Sequence, residues 1–497
     1  MTLLDGLIIG IYLGGVVTVG ILCRGKQEDI NDYFTAHGGF KGKLGMMIVG
    51  LSIGATFFSG LSFIVYPSIF YTYGVTVLSG LIGFPATYLF MRFWFLPRYL
   101  AGAGRSPYEI IERRFGKPVR LLASAMFVML RLSWMAALIY APVIVLMATI
   151  GIGEEWLWPL VALIGLSSTV YTVIGGIRGV IITDAIQFLV IAGALLGTVI
   201  YVLVKIPLSF GDFTGFLRTN TQLLHFNWSI DPTVTMTVVT MAVGGSIGNL
   251  GSFSADQMSL QRYIAAGDAR SAAQAFGTSM IATPIVLILL AMVGLAIGTW
   301  YSVNPDRGLP TQADKVFPYF VATQLPAGFS GLVIAALLAA TMSSVTSGIN
   351  ALSGSLLNDF VSLAERIESK RLLRSARWLS AAIGLAVTIG AGFVGRIGSL
   401  FDIMNVLLGV FNGPLLACVL LAVSRLKIQG SVLLAAMVVG FFIGVMVVNS
   451  PLSPVWVTLV GGGATIAVAL LGSQMVQQGT HSATGRDANP ESGAQTP

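Results

Sequence analysis

Long apolar runs alternate along this chain with short polar stretches rich in Lys and Arg. Thirteen runs reach the ~20 residues that a helix needs to cross a bilayer. Their approximate limits are 5–23, 46–69, 74–96, 120–149, 157–175, 179–204, 233–252, 271–299, 327–358, 378–395, 399–424, 430–449 and 452–473. Two runs are interrupted. The second reads Gly54-Ala55-Thr56-Phe57-Phe58-Ser59-Gly60-Leu61-Ser62 through its middle, and the seventh reads Gly244-Gly245-Ser246-Ile247-Gly248-Asn249-Leu250-Gly251-Ser252. Small and hydroxyl residues make a poor surface towards lipid and a good place for a helix to break. A break frees backbone carbonyls at membrane depth, which is tolerated only where they are buried in protein or line a cavity. Two broken helices in corresponding halves of a chain point to a transporter's binding site. The plainer alternative is close helix packing through small residues.

Composition agrees with a membrane protein. Of 497 residues, 55% are hydrophobic and 10% charged, where a soluble protein carries about 25% charge. The chain is therefore predicted to be an all-α polytopic membrane protein, with one transmembrane domain over 1–473. The polar tail 474–497, rich in Gly, Ser and Thr, is expected to be disordered and cytoplasmic. Cys23 and Cys418 lie in or beside apolar runs and imply neither a disulfide framework nor a metal site. His37, His225 and His481 are scattered, which argues against a His-built metal centre. No nucleophile–base pair and no phosphate-binding loop stands out, so no enzymatic chemistry is expected.

The net charge of +7 reflects topology and not a nucleic-acid partner. With the N-terminus outside, Arg24, Lys26, Lys41 and Lys43 fall on the inner side, as do the clusters Arg92–Arg120 and Arg366–Arg377. Only Lys205, Arg218, Arg307, Lys315 and Arg396 fall on the outer side, as the positive-inside rule requires. The first run has its basic residues after it and is not expected to be a cleaved signal. The outer loops 205–232 and 300–326 have room for short interfacial helices. Runs two to six (46–204) and seven to eleven (233–424) form two sets of five in opposite orientations. That is the arithmetic of an inverted repeat, with one extra N-terminal and two extra C-terminal helices.

Several stretches are distinctive in order. They are Asp32-Tyr33-Phe34-Thr35-Ala36, Ser106-Pro107-Tyr108-Glu109 with Arg114-Phe115-Gly116, and Gly175-Gly176-Ile177-Arg178-Gly179 with Thr183-Asp184 and Gln187. Asp256-Gln257 with Gln261-Arg262-Tyr263, and Ala340-Thr341-Met342-Ser343-Ser344, follow. The ordered set, from about 5 to 425, resembles the sodium:solute symporter family, which shares the five-plus-five inverted-repeat fold of the amino-acid transporter LeuT. Leu138-Ile139-Tyr140-Ala141-Pro142 and Asn412-Gly413-Pro414-Leu415-Leu416 look like the branch with monocarboxylate, multivitamin and sialic-acid carriers. An acidic residue is common in that branch shortly after Pro67. Here Ser68-Ile69-Phe70 stands there, which leaves the solute open.

Sodium is a hard cation that takes oxygen ligands, as calcium and magnesium do. Ala340, Ser343, Ser344 and Ser347 share one face of the ninth span at i, i+3, i+4 and i+7. By resemblance, the carbonyls of Ala55, Phe58 and Ala340 and the hydroxyls of Ser343 and Ser344 form a sodium site. The alternative is that these serines are packing glue. Resemblance also implies a second sodium site at Asp184, Ser343, Thr346 and Ser347. Asp184 otherwise pairs with Arg178 or another inner base.

Arg131 falls near mid-membrane, where Arg costs ~2.5–3.5 kcal/mol, so it must face a cavity or an acid. It is expected to grip a solute carboxylate, or else to pair with Asp184 or Asp402. Phe57, Ser59, Ser62, Asn249 and Asn405 complete the expected solute site. The sequence thus predicts a sodium-coupled symporter in the cell membrane (plasma or inner), importing a small carboxylate-bearing solute by alternating access. Its partners are the solute, sodium and lipid, with no obligatory protein partner. A neutral sugar, polyol or amino-acid substrate, a proton-coupled carrier with Asp184 as proton site, and a solute sensor are the alternatives.

Overall fold

The computed structural model describes residues 2–23, 30–36, 39–102, 108–205, 209–220, 223–304, 313–360, 369–394 and 400–486. Ser106, Pro107 and the tail beyond 486 lie outside the described residues, as do the side chains of Asp402 and Asn405. Among the described residues every regular element is a helix.

Helices fall on the expected apolar runs, but a tally by length and apolarity returns nine among the described residues. Two mergers take thirteen to eleven, and two runs are not in the tally: the seventh, and the eleventh, which enters only as the shorter apolar helix Gly409–Val423. The second run is broken, with Gly42–Phe57 too short to count by itself, and its second half runs on into the third span as Gly60–Gly102. Runs five and six form a single stretch, Leu157–Lys205, kinked at Gly176. As one straight helix, residues 16 apart would be about 24 Å apart. Yet the Gln187 amide donates to the Tyr171 hydroxyl at 3.4 Å, so the chain folds back between them. Gly176 makes the reversal with φ 55° and ψ −163°, a conformation open to glycine and strained for any side chain.

Burial sorts the spans into centre and rim. The ninth, Phe329–Asp359, has 94% of its apolar window buried, whereas the first has 17% and the last two have 33% each. The ninth span packs on the fifth and sixth, on the fourth (Lys117–Ile150), and on both halves of the second. The two C-terminal helices, Gly430–Val448 and Val457–Arg486, pack on each other and on the eleventh, Leu400–Val423. The first span is fastened to the ninth through a buried carboxylate. Asp5 Oδ1 accepts the N–H groups of Gly328 at 2.7 Å and Gly331 at 2.9 Å, and the Ser330 hydroxyl at 2.8 Å. Those are donors that a helix start leaves over.

Three further outcomes bear on the expectations. The loops 205–232 and 300–326 do hold short helices, Phe210–Thr219 and Ala313–Gln324. The last helix continues to Arg486, past the boundary expected at 473. Gln474, Met475, Gln477 and Gln478 are good helix formers, and a helix already nucleated extends at one bond per residue. The seventh span departs most. Its glycine-rich centre does not unwind. Thr240–Gly245 forms a π-turn, and Ser246–Ser254 continues as ordinary α-helix until Ala255 and Asp256. A π-turn relieves the same packing with one inserted residue while keeping the backbone hydrogen-bonded.

Candidate functional site

The second span breaks where its small residues gather. Helix Gly42–Phe57 ends, Phe58 is extended (φ −91°, ψ 121°), and Ser59 starts helix Gly60–Tyr73 as its N-cap. The Ser59 hydroxyl oxygen accepts the Ser62 N–H at 3.2 Å, satisfying one donor of the new helix. The break presses directly on the ninth span. A Cβ added at Gly60 would lie 2.0 Å from Thr341 Oγ1, so only glycine allows this approach.

That contact gathers five oxygens. The Ser343 hydroxyl lies 3.2 Å from the Ala55 carbonyl and 3.1 Å from that of Ala340. The Ser344 hydroxyl lies 3.5 Å from the Phe58 carbonyl and 3.4 Å from that of Ala340. Ala55, Phe58, Ala340, Ser343 and Ser344 are all buried. Two hydroxyl protons serve three carbonyls, so the cluster is rich in acceptors and poor in donors. A hard cation fits that imbalance, since it takes neutral oxygens and needs no ligand protons removed. Among the described residues no group of His, Cys, Asp and Glu could hold a metal.

About one turn further along the ninth span lies a second polar cluster. Arg262, fully buried, donates from Nε to the Ser52 hydroxyl at 2.7 Å and from Nη1 to the Met258 carbonyl at 2.6 Å. Its Nη2 donates to Asp184 Oδ2 at 2.6 Å and to the Ser347 hydroxyl. Ser52 also donates to Asp184 Oδ2, at 2.8 Å. Asp184 thus pairs with an inner-side base, the alternative the sequence left open; that base is Arg262 and not Arg178, which lies over the Phe40 ring. The expected second sodium set is only partly assembled. Ser347 reaches Asp184 at 3.3 Å, but the Thr346 hydroxyl turns to the carbonyls of Met342 and Ser343 in its own helix. A guanidinium supplies the positive charge that a second ion would bring. Asp184 Oδ1 is left without a hydrogen bond.

Next to the five-oxygen cluster lies a cavity of about 300 Å³. Phe57, Ser59, Ser62, Arg131 and Asn249 line it, and so does Ser344. Phe57 stacks on Phe253 with ring centroids 5.2 Å apart. Asn405 belongs to helix Leu400–Val423, but its side chain is outside the description.

Arg131 is corrected in one respect. Among the described residues its acid is not Asp184 but Asp256, which forms a buried ion pair with it and also lines the cavity; the side chain of Asp402 lies outside the described residues. The sequence places Asp256 just after the seventh span, in what reads as a polar connection. In the structure that connection is a helix, Gln257–Ala266, with Gln257 to Tyr263 all buried. The signal available was Asp256 itself. An Asp before a helix-forming run is an N-cap, and its Oδ1 accepts the Met258 N–H at 2.9 Å.

A helical membrane protein with a broken span, a buried cluster of cation-seeking oxygens and an adjoining solute-sized cavity defines an ion-coupled transporter. The chain belongs to the sodium:solute symporter family, whose model matches residues 33–440. It is a sodium-coupled symporter of solutes and not an enzyme. It is 29% identical over 422 residues to the sodium/sialic acid symporter NanT of Aliivibrio fischeri, covering 83% of this chain and 81% of that protein. It is 28% identical over 423 residues to the human sodium-coupled monocarboxylate transporter 2, covering 82% and 67% respectively. A substrate-bound, outward-open structure of a sodium-coupled sialic acid symporter superposes with a TM-score of 0.85 at 23% identity. That match covers 95% of this chain and 98% of the other, and it shows the fold.

Proposed function

We propose that this protein imports a small carboxylate-bearing organic solute together with sodium. One observation carries the reading. The five-oxygen cluster and the cavity share a wall: Ser344 belongs to both, and Phe57 and Ser59, which flank Phe58, face the cavity. Sodium at Ala55, Phe58, Ala340, Ser343 and Ser344 would fix the break against the ninth span and so shape the solute site. Loss of the ion to a sodium-poor interior releases the break and then the solute. Coupling is the difference in sodium affinity between the two states.

The carboxylate preference rests on Arg131, whose Nε faces no hydrogen-bond partner, and whose fork matches a carboxylate. Relatives named for sialic acid and for monocarboxylates point the same way. Arg262 at Asp184 favours one bound sodium in this conformation, because a second cation there would meet a resident guanidinium. The excess of basic residues on one side supports an orientation with the N-terminus outside and the C-terminus in the cytoplasm.

Uptake into proteoliposomes at fixed pH tests the reading. Replacing sodium by potassium or choline should abolish accumulation of the acid. The acid's amide or methyl ester should fail to compete. A neutral analogue that competes as well as the acid would make a sugar or polyol the better substrate class. Uptake that persists without sodium but follows a pH gradient would make protons the coupling ion.

A further inference from the structure

The solute site carries a negative charge as well as a positive one. Asp256 is held at the cavity from two directions. Oδ2 pairs with Arg131 Nη2, and Oδ1 caps helix Gln257–Ala266 through the Met258 N–H. That helix is buried and is anchored again by Arg262 on Asp184. Asp256 therefore cannot turn away from an incoming solute without uncapping a buried helix. Arg131 Nε, buried and without a hydrogen-bond partner, shares an edge of the guanidinium with Nη2, and Arg131 and Asp256 both line the cavity, so a carboxylate drawn to this guanidinium arrives beside the carboxylate of Asp256. Two anions on one guanidinium, in a cavity walled by Phe57, Trp134 and Phe253, repel with little water to screen them. An ionised Asp accepts hydrogen bonds and donates none. The repulsion becomes attraction if the solute brings a donor next to its own carboxylate.

We propose that Asp256 selects for acids that carry a hydrogen-bond donor, hydroxyl or ammonium, on the carbon adjacent to the carboxylate. Arg131 takes the carboxylate and Asp256 takes the donor. This rests on the carboxylate reading above and narrows it. Asp256 is a specificity-determining residue, and a plain fatty acid is a poor substrate.

Two matched series test it on the purified full-length protein, by sodium-dependent thermal-shift titration. One is propionate, lactate and alanine. The other is 3-phenylpropionate, 3-phenyllactate and phenylalanine, whose rings suit the aromatic walls. The hydroxyl or ammonium member should bind at least about tenfold more tightly than the plain acid, that is about 1.4 kcal/mol. Comparing the two members separates a hydroxy-acid from an amino-acid carrier. Asp256→Asn keeps an N-cap side chain and removes the charge. It should raise affinity for the plain acid and collapse the lactate-to-propionate ratio. Plain acids that bind the native protein as tightly as the others overturn the proposal while leaving the carboxylate reading intact. So does a ratio unchanged in Asp256→Asn. Binding of none of these acids, with stabilisation by sodium itself preserved, overturns the carboxylate reading and this proposal with it. The native panel decides even if the variant fails to fold.

Discussion

Ser343→Ala isolates the contribution of one oxygen to ion binding. The Ser343 hydroxyl is buried between the carbonyls of Ala55 and Ala340, at 3.2 and 3.1 Å. Alanine fits the same space and leaves the helix intact. What disappears is one of five proposed ligands to sodium. A neutral oxygen facing a charge is worth about 1.5–3 kcal/mol, which is roughly 10- to 150-fold in half-saturating sodium at about 1.4 kcal/mol per tenfold. Folding without sodium should also lose about 1–3 kcal/mol, because the buried Ala55 carbonyl at the break loses the Ser343 hydroxyl as donor. The assay is sodium-dependent solute uptake into proteoliposomes at constant ionic strength, with sodium exchanged for choline. Thermal shift with and without sodium is measured on the same preparation. The curve should move to higher sodium with the maximal rate recoverable. If half-saturating sodium stays within about twofold of native, a difference of about 0.4 kcal/mol, Ser343 is not a ligand. The serine face of the ninth span would then be packing alone.

Two further variants probe the neighbouring structure. Asp184→Asn leaves Arg262 as a buried charge without its counter-ion, so it should lower stability by about 3–5 kcal/mol, read as melting temperature and yield. The native protein should show a Hill coefficient for sodium near one, and a value near two would show that Arg262 yields its place to an ion. Gly60→Ala drives a Cβ to 2.0 Å from Thr341 Oγ1. Overpacking of this kind costs about 1–3 kcal/mol and should separate the break from the ninth span. Sodium-dependent uptake should be lost, and normal uptake would show that the approach at Gly60 is not needed.

Much of the fold could be read from the sequence because it depends on short-range properties. An apolar run of sufficient length must be helical in lipid, since each backbone group has to be satisfied within the segment. The face shared by Ala340, Ser343 and Ser344 follows from helical periodicity alone. The break at Phe58 and Ser59 follows from Gly and Ser clustered in an otherwise apolar helix. The same clustering misled at the seventh span. Gly244, Gly245 and Gly248 have the composition of a break, yet the chain there takes a π-turn and stays hydrogen-bonded. Composition weakens a helix, and the neighbours decide whether it opens.

The ion pairs belong to the tertiary structure. That Arg131 needs a partner is plain from its depth, because a guanidinium is too costly to leave alone within a span. Which acid it finds depends on the turn from the seventh span into helix Gln257–Ala266, which carries Asp256 back to the cavity. Arg262 and Asp184 are 78 residues apart, and Asp5 meets Gly328 across 323. No local pattern encodes such distances. Helix periodicity fixes which residues share a face, whereas the meeting of two faces is set by the whole packing of the bundle. The sequence alone determined a membrane-embedded transporter with a cation-seeking serine face. Only the tertiary structure placed an arginine at Asp184 and an aspartate beside Arg131, because each pairing is made between helices distant in the chain.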